Sequence, residues 1–427
     1  MKNSKSTLDK FAQKKVHVKT NRANYDVGTP SYKHVDVHQL KAADKVSGPD
    51  NLAAVFFTLI CVIALLVVRG ALFPYESNDF LYALRLWINE YKEMTFLEGL
   101  GTKVGVYNLP YMYLLNIMAR INASDLIMVK VTSIFFDFLL AYFIMKIVAL
   151  KTESINMRIL AFILTLSIPT VIINSAMWGQ CDSIYTAFVV ASIYFGLTGR
   201  SKSAYAFMAL AVSFKLQAAF LLPIFPILIF TKKISIKDCY MFFAVYIATA
   251  LPALLAGMHI EEVLFAYVDQ VNYFPFLNMN SVNIWRFVVY VSYESFFVVG
   301  LFMTGLAVLG LMYFTYVNRE RMTNTIDYVR FAYLIAVIVP FMLPKMHDRY
   351  YFMADILSVL VFLFDKRRWF VPVVTVFCSY IAYAYFIMYG AELIDYKYAA
   401  LALLFVIIIV LRDYVISLKE PGNCNVK

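Results

Sequence analysis

An acidic residue directly follows the first long apolar run of this sequence and is the first candidate for chemistry. The run ends near Phe73, and the chain continues as Glu76-Ser77-Asn78-Asp79. A carboxylate at a membrane surface can act as a general base that takes the proton from an attacking hydroxyl. Asp79 is our candidate for that role, with Asn78 as a neighbouring substrate contact. The alternative is that Asp79 is an ordinary solvated loop acid.

A second polar cluster occupies a short turn between two later apolar runs and reads Trp178-Gly179-Gln180-Cys181-Asp182. Amide and carboxylate side chains can hold the hydroxyl groups of a sugar, because they offer both donors and acceptors. Trp178, Gln180 and Asp182 are therefore predicted substrate contacts. The alternatives are that Trp178 is an interfacial anchor and that the two polar residues cap the next helix.

A lysine lies between two short apolar segments, in the sequence Phe214-Lys215-Leu216-Gln217. A buried lysine is costly in apolar surroundings unless it meets an anion, and phosphate is the natural partner. We predict that Lys215 binds a donor phosphate and that Gln217 contacts the substrate. The alternative is a structural ion pair with one of three acids, namely Asp79, Asp182 or Asp348.

The last cluster is the turn Pro344-Lys345-Met346-His347-Asp348-Arg349-Tyr350. Its cationic and titratable groups predict an anion site, since arginine can bind phosphate through two parallel hydrogen bonds. His347 and Arg349 are the predicted phosphate ligands, and Asp348 and Tyr350 are predicted substrate contacts. The alternative is a basic flank whose side chains snorkel to the membrane interface.

Together the clusters predict one site, with a carboxylate opposite several cations at the boundary between lipid and water. A substrate that combines a phosphate, a lipid tail and a sugar would fit such a site. Asp79 would deprotonate an acceptor hydroxyl while the cations stabilise the departing phosphate.

The composition shows which kind of structure must position these residues. Hydrophobic residues make up 62% of the 427-residue chain and charged residues 15%. Soluble domains have about 45–50% and about 25%. Lipid must therefore solvate much of the surface, and the net charge of +10 encodes orientation in a membrane rather than nucleic-acid binding. The five scattered cysteines predict neither a disulfide framework nor a zinc site.

The apolar runs predict an all-α transmembrane bundle of about twelve spans, since about 20 apolar residues cross a bilayer as a helix. The runs cover residues 52–73, 125–150, 157–177, 181–198, 203–214, 216–231, 239–258, 295–317, 329–345, 349–364, 369–389 and 397–416.

The positive-inside rule decides how the two shortest runs connect. If 203–214 and 216–231 form a tight hairpin, every inner loop carries at least two basic residues. If they form one span, Lys366, Arg367 and Arg368 fall outside. The sequence therefore predicts a hairpin.

This topology divides the chain into three parts. Residues 1–51 are a polar, basic cytoplasmic tail without fixed structure and without a cleavable signal peptide. Residues 52–365 form a catalytic module with outer loops 74–124 and 259–294, and the segment 107–121 is predicted as an interfacial helix. Residues 366–427 supply the last spans and a short cytoplasmic tail, in a multi-pass protein of the plasma membrane.

Six stretches resemble, in order, the GT-C superfamily of polytopic glycosyltransferases, in particular bacterial relatives of the second mannosyltransferase of GPI-anchor assembly. They lie within residues 52–365 and read Asn78-Asp79, Tyr107-Asn108-Leu109-Pro110, Trp178 to Asp182, Phe214 to Gln217, Asn280 to Trp285, and His347 to Tyr350.

The resemblance implies an inverting sugar transfer from a polyprenyl-phosphate donor to an extracytoplasmic glycan or glycolipid. It implies that Asp79 is the base, that the turn His347–Arg349 handles the donor phosphate, and that Asn280, Asn283 and Trp285 contact the substrate. In two places the sequence departs from the family. Asp348 replaces a glutamate, and Asn78-Asp79 replaces paired acids, which argues against a divalent metal; no cofactor is expected.

Two other classes of function remain open at the level of sequence. A twelve-span transporter or lipid-linked glycan flippase would show internal repeats and polar residues near the membrane midplane. A scaffold subunit of a surface-polysaccharide assembly complex would need neither Asp79 nor Lys215.

Overall fold

The described part of the chain is almost entirely helical. The computed structural model describes residues 49–272, 276–288, 293–387, 390 and 392–419, so that the predicted tail lies outside this part except for its last three residues. Within these ranges seven helices are long and apolar enough to cross a membrane, and one pair of helices bent by 55° is together long enough. The predicted all-α helical bundle is confirmed for this part of the chain, and its long apolar helices have the length and composition of membrane spans.

Helix α1 (Pro49–Ala71) leads into a first loop that is itself helical. A π-helical turn (Phe80–Leu84) continues into α2 (Arg85–Lys92), and α3 (Phe96–Gly101) and α4 (Leu109–Met118) follow. The predicted interfacial helix exists as α4, but seven of its ten residues are buried. It is therefore packed inside the protein, against α2 and α3 among other helices, rather than exposed along one face.

The next helices form a bent span. Helix α5 (Asp125–Val148) packs against α6 (Ile155–Ser167), which is followed by α7 (Pro169–Ile172), a π-helical turn (Ile173–Trp178) and α8 (Asp182–Leu197). The break falls at Ile168, whose backbone is extended (ψ 124°), as expected for a residue that precedes proline. The bend directs the segment after it towards the loop that carries Asp79.

The chain reverses direction at Lys215, as the charge pattern predicts. Helix α9 (Ser201–Phe214) ends there, a 3₁₀ turn (Leu216–Leu221) follows, and α10 (Ile224–Phe230) runs back. The backbone N–H of Ser235 donates to Ser201 Oγ at 2.9 Å, and the rings of Tyr205 and Phe225 lie 4.8 Å apart. These contacts join the two arms on either side of Lys215, so the chain doubles back there.

A short parallel strand pair ties the second loop to the turn that carries His347. After a 3₁₀ turn (Ile236–Cys239) come α11 (Tyr240–Leu255), α12 (Ile260–Asn272), strand β1 (Asn278–Met279) and another 3₁₀ turn (Ile284–Phe287). Strand β2 (Met346–His347) pairs with β1, with Asn278 opposite Met346 and Met279 opposite His347.

The remaining helices are α13 (Tyr293–Val317), α14 (Thr325–Met342), α15 (Phe352–Phe364), α16 (Phe370–Ile387) and α17 (Tyr396–Lys419), with 3₁₀ turns at Arg319–Arg321 and Lys366–Arg368. They include α14 and α15, the most buried of the bundle. In the apolar stretch of α14, 83% of the residues are buried inside the protein, compared with 6% in that of α1. Helices α16 and α17 pack on α14 and α15, so the part of the chain after residue 365 belongs to the same bundle.

Candidate active site

Several of the predicted clusters meet at one cavity of about 340 Å³, which we name the Asp79 cavity. Its lining residues are Asp79, Trp178, Phe276, Asn278, Met279, Asn280, His347, Asp348, Arg349 and Phe386. Six of these are predicted site residues, although they come from four separate parts of the sequence. The cavity therefore brings Asp79 and Arg349 together with four other residues that the sequence analysis singled out.

Asp79 sits in the turn between α1 and the π-helical turn, and Ser77 fixes that turn. The buried Ser77 Oγ donates to the carbonyl oxygen of Trp178 at 2.7 Å and accepts from the backbone N–H of Phe80 at 3.2 Å. Because Trp178 belongs to the other side of the site, this bond holds the Asp79 turn against the segment that follows α7.

Among the described residues, all polar contacts of the Asp79 carboxylate are made by one oxygen, Oδ2. Trp178 Nε1 donates to Oδ2 at 3.0 Å, and Gln180 Nε2 donates to the same atom. Arg349 Nη1 lies 3.4 Å from it. The Asp79 side chain is 33% exposed, which leaves Oδ1 available to a substrate in the cavity.

A glycine lets Trp178 and Gln180 reach the same carboxylate oxygen. Gly179 has φ +75°, a left-handed conformation that side chains with a Cβ rarely adopt. The turn is closed by the Gln180 N–H, which donates to the carbonyl oxygen of Asn174 at 2.8 Å. The chain thus reverses sharply between the two donors, which both point at Asp79.

Tyr107 sets the direction of the Gln180 amide. Its hydroxyl donates to Gln180 Oε1 at 3.2 Å, so the amide nitrogen is the end that faces Asp79. Burial raises the pKa of Tyr107 well above its usual value, so the phenol keeps the proton that it donates. Sequence reasoning included Tyr107 in a family motif but gave it no role.

Arg349 carries unused hydrogen-bonding capacity at the cavity. Its guanidinium lies 4.9 Å from the centre of the Trp178 ring, and its Nε is 3.6 Å from Asp348 Oδ1. The Nε and Nη1 atoms are buried and make no hydrogen bond to any residue of the described ranges. Buried donors without acceptors are costly, so an anion in the cavity would be bound favourably.

Phe386 of α16 completes the aromatic wall of the cavity. Its ring stacks on Trp178 at 4.4 Å with an interplanar angle of 15°. The sequence analysis missed Phe386 and also Phe276. Phe386 lies in an apolar run, where an aromatic residue gives no signal that distinguishes a cavity wall from lipid-facing surface, and Phe276 lies in the second outer loop, outside the polar clusters and motifs.

His347 is neutral near pH 7. Burial and the nearby Arg349 and Lys215 lower its pKa to about 3, because each disfavours a second positive charge there. Its ring contacts that of Tyr350 at 5.3 Å. A neutral His347 would make its predicted phosphate contact through a hydrogen bond and not through a positive charge.

The pKa of Asp348 is shifted in the opposite direction, upwards. Burial raises its pKa to about 7, with Asp79 adding to the rise and Arg349 opposing it. Asp348 thus exchanges its proton close to physiological pH, beside the guanidinium that faces the cavity.

Lys215 is buried outside the lining of the cavity, in an ion pair with Asp182. Its Nζ bonds Asp182 Oδ1, and Asn174 Nδ2 donates to the other oxygen of that carboxylate at 2.7 Å. The ammonium also lies 5.8 Å from the Tyr107 ring. Of the alternatives for Lys215, the structural pair with Asp182 is the one observed, and neither residue lines the Asp79 cavity.

Two predicted contacts of the second loop hold that loop in place. Asn283 Oδ1 accepts from Asn278 Nδ2 at 2.5 Å and from the Trp285 N–H at 3.1 Å. Trp285 Nε1 donates to the carbonyl oxygen of Met342, at the end of α14, at 2.9 Å. Asn283 and Trp285 therefore position β1 and Asn280 without lining the cavity.

Three further predicted contacts lie outside the lining. Gln217 is buried, and its Oε1 has no hydrogen-bond partner among the described residues. Asn78 is exposed, and the Tyr350 ring contacts the His347 ring without lining the cavity. Across the described ranges no group of three or more His, Cys, Asp or Glu side chains is placed to hold a metal ion.

Comparison with known proteins adds no family assignment. A scan against protein-family models finds no match, and a search of curated proteins finds no similar sequence. The function therefore has to be argued from the site itself.

Proposed function

We propose that this protein is a membrane glycosyltransferase of the hexosyltransferase class. It would transfer one sugar from a polyprenyl-phosphate donor to an extracytoplasmic glycan or glycolipid, with inversion at the anomeric carbon. The observation that carries the proposal is the pairing of Asp79 and Arg349 at one cavity. Asp79 has one oxygen fixed and one available, and two donor atoms of Arg349 make no hydrogen bond to a described residue.

In the proposed reaction the donor phosphate binds the guanidinium of Arg349 and draws it away from Asp79. Asp79, relieved of that charge, accepts the proton of an acceptor hydroxyl through Oδ1. The hydroxyl oxygen bonds to the anomeric carbon as the bond from that carbon to the phosphate oxygen breaks. The electron pair stays on the polyprenyl phosphate, whose added charge Arg349 stabilises. A single displacement of this kind inverts the anomeric carbon.

The same proposal includes a topology. The twelve predicted runs all coincide with helical segments, and the shorter ones, such as α8 and α15, are almost fully buried by their neighbours. Short helices can cross where protein rather than lipid surrounds them. We propose twelve crossings of the plasma membrane, with both termini in the cytoplasm and the Asp79 cavity on the outer side, in contact with membrane lipid.

The test is turnover of a defined donor by the purified protein in lipid nanodiscs. Radiolabelled polyprenyl-phosphate hexoses and a delipidated cell-envelope acceptor are supplied, and released polyprenyl phosphate is measured. Asp79→Asn should keep the fold and lose about 10²–10⁴-fold in rate, as expected for a well-placed base.

The matched control is Glu76→Gln. Glu76 lies three residues earlier and pairs with the exposed Arg85, outside the cavity. Its variant should keep the wild-type rate. Wild-type turnover in Asp79→Asn would refute the proposed base, whereas donor translocation across proteoliposomes without turnover would favour the transporter or flippase.

A further inference from the structure

Helix α5 carries three buried polar side chains on one face, although its other buried residues are apolar. They are Lys130, Ser133 and Asp137, at positions i, i+3 and i+7. This spacing places them along one side of a helix. Each is at most 1% exposed. Polar groups inside an apolar helix are costly, which predicts that they have a role.

The first member, Lys130, binds the end of α1. Its Nζ donates to the carbonyl oxygens of Leu72, Phe73 and Tyr75 at 3.1, 2.9 and 2.6 Å. These carbonyls precede Asp79 by four to seven residues. All three ammonium hydrogens are thus used to fix the path of the chain into the turn that carries the proposed base.

The other two members bind the segment that carries Trp178 and Gln180. Ser133 Oγ donates to the carbonyl oxygen of Gln180 at 2.7 Å. Asp137 Oδ2 accepts from Ser175 Oγ at 2.6 Å, and Asp137 Oδ1 accepts from Ser183.

Asp137 also returns to α1, through Arg69. Arg69 Nη2 lies 3.2 Å from Asp137 Oδ2 and donates to the carbonyl oxygen of Leu166 at 2.9 Å. The polar face of α5 therefore binds both chain segments whose side chains meet at Asp79. Arg349 lies in a different segment, the turn after β2.

We infer that Lys130, Ser133 and Asp137 are positioning residues for the general base. They set the distance between the Asp79 carboxylate and its two donors, Trp178 and Gln180, and so the direction of Asp79 Oδ1. This inference rests on the proposed glycosyl transfer. Because a misplacement of about 1 Å can lower a rate about 10²-fold, loosening either segment should slow the chemical step.

The donor phosphate should still bind when the polar face is weakened, since α5 makes none of the contacts of Arg349 described above. The expected signature is therefore a fall in kcat with the donor KM nearly unchanged. A purely structural contribution would lower the amount of folded protein and leave the kcat of the folded fraction intact.

Three variants test this. Lys130→Met keeps most of the stem and removes the three hydrogen bonds, and Ser133→Ala removes one bond at little steric cost. Tyr333→Phe is the control, because the Tyr333 hydroxyl bonds Thr375 Oγ1 at 2.8 Å between the buried helices α14 and α16. Measurements are the melting temperature, kcat, the donor KM and binding of a non-transferable polyprenyl-phosphate sugar analogue.

Lys130→Met should lose about 10–10²-fold in kcat and Ser133→Ala about 3–10-fold, with analogue affinity within about twofold of wild type. Tyr333→Phe should keep kcat. If Lys130→Met fails to fold, Ser133→Ala decides the question. A wild-type kcat in Ser133→Ala, or equal losses in the control, would overturn the positioning role, whereas a fully active Asp79→Asn would overturn the proposed base instead.

Discussion

Asp79 and Arg349 are close enough to neutralise each other, yet they do not form a tight pair. Their nearest atoms lie 3.4 Å apart, and Arg349 Nη1 makes no hydrogen bond to a described residue. A bidentate pair would hold both groups, since its two parallel hydrogen bonds are among the strongest that side chains form. Because the pair is loose, a phosphate can bind the guanidinium of Arg349, which leaves the Asp79 carboxylate free to act as a base.

Arg349→Lys tests the shape of the phosphate contact at constant charge. A lysine cannot offer two parallel donors or stack on Trp178, so the variant should bind the non-transferable donor analogue about 10–10²-fold more weakly. Arg368→Lys is the control, because Arg368 pairs with Asp413 away from the cavity. Equal analogue affinities in Arg349→Lys and the wild type would exclude Arg349 as the phosphate ligand.

Asp348 should make donor binding depend on pH. Its pKa is about 7, so the carboxyl is neutral below that pH and becomes a competing anion beside Arg349 above it. Analogue affinity should fall as the pH rises from about 6 to 8, while the phosphodiester of the donor keeps a constant charge. Titration of analogue binding measures this.

Asp348→Asn should make the affinity independent of pH over that range. His347→Gln should leave the pH dependence in place, because the pKa of His347 is about 3 and the ring is already neutral. A pH dependence that is lost in His347→Gln and retained in Asp348→Asn would show that the assignment is reversed.

At the scale of elements, one π-helical turn lies beside Asp79 and another lies beside the Gly179 turn, whose neighbours Trp178 and Gln180 donate to Asp79. One (Phe80–Leu84) begins directly after Asp79, and the other (Ile173–Trp178) ends directly before Gly179. Such turns are rare and shift the side chains that follow them relative to a regular helix. Here they allow two apolar segments to present polar side chains at the same point, which a continuous pair of helices could not do.

A buried ion pair between Lys215 and Asp182 lies at the apex of the hairpin of α9 and α10. Lys215→Met would leave Asp182 as an unpaired buried charge, which should cost about 3–5 kcal/mol of stability. The double variant Lys215→Met with Asp182→Asn removes both charges and should recover most of the loss. Thermal unfolding in detergent checks this.

Analogue binding to the double variant separates the two roles of Lys215. If the lysine only holds the hairpin, a double variant with restored stability should bind the analogue normally. A large loss of affinity in a stable double variant would instead support Lys215 as a phosphate ligand, as the sequence analysis predicts.

At the scale of the whole molecule, the sequence predicts well what charge and hydropathy determine. The hairpin at Lys215 follows from the basic loops, and the meeting of Asp79, Trp178 and Arg349 follows from placing their turns on one side. It predicts poorly what packing determines. α4 is buried because later helices cover it, and Phe386 and Tyr107 gain their positions only through contacts distant in the chain.

The orientation of the bundle in the membrane is the last and widest prediction. Turns that the sequence places on the inner side do contact one another, since Lys151 Nζ donates to the Phe364 carbonyl oxygen at 2.6 Å and Ser235 contacts Ser201. The Asp79 cavity belongs to the other set of turns. Glu90 on α2 and Lys237 in an inner turn are both exposed and so form a matched pair of labelling positions.

In a chain whose native cysteines are replaced by alanine, Glu90→Cys should react with a membrane-impermeant maleimide in intact cells. Lys237→Cys should react only after permeabilisation, because basic turns are retained in the cytoplasm. Both variants must first show donor turnover, so that labelling reports on folded protein. The reverse pattern would place the Asp79 cavity on the cytoplasmic side, where the enzyme would meet donors before they are flipped and an extracytoplasmic acceptor would be excluded.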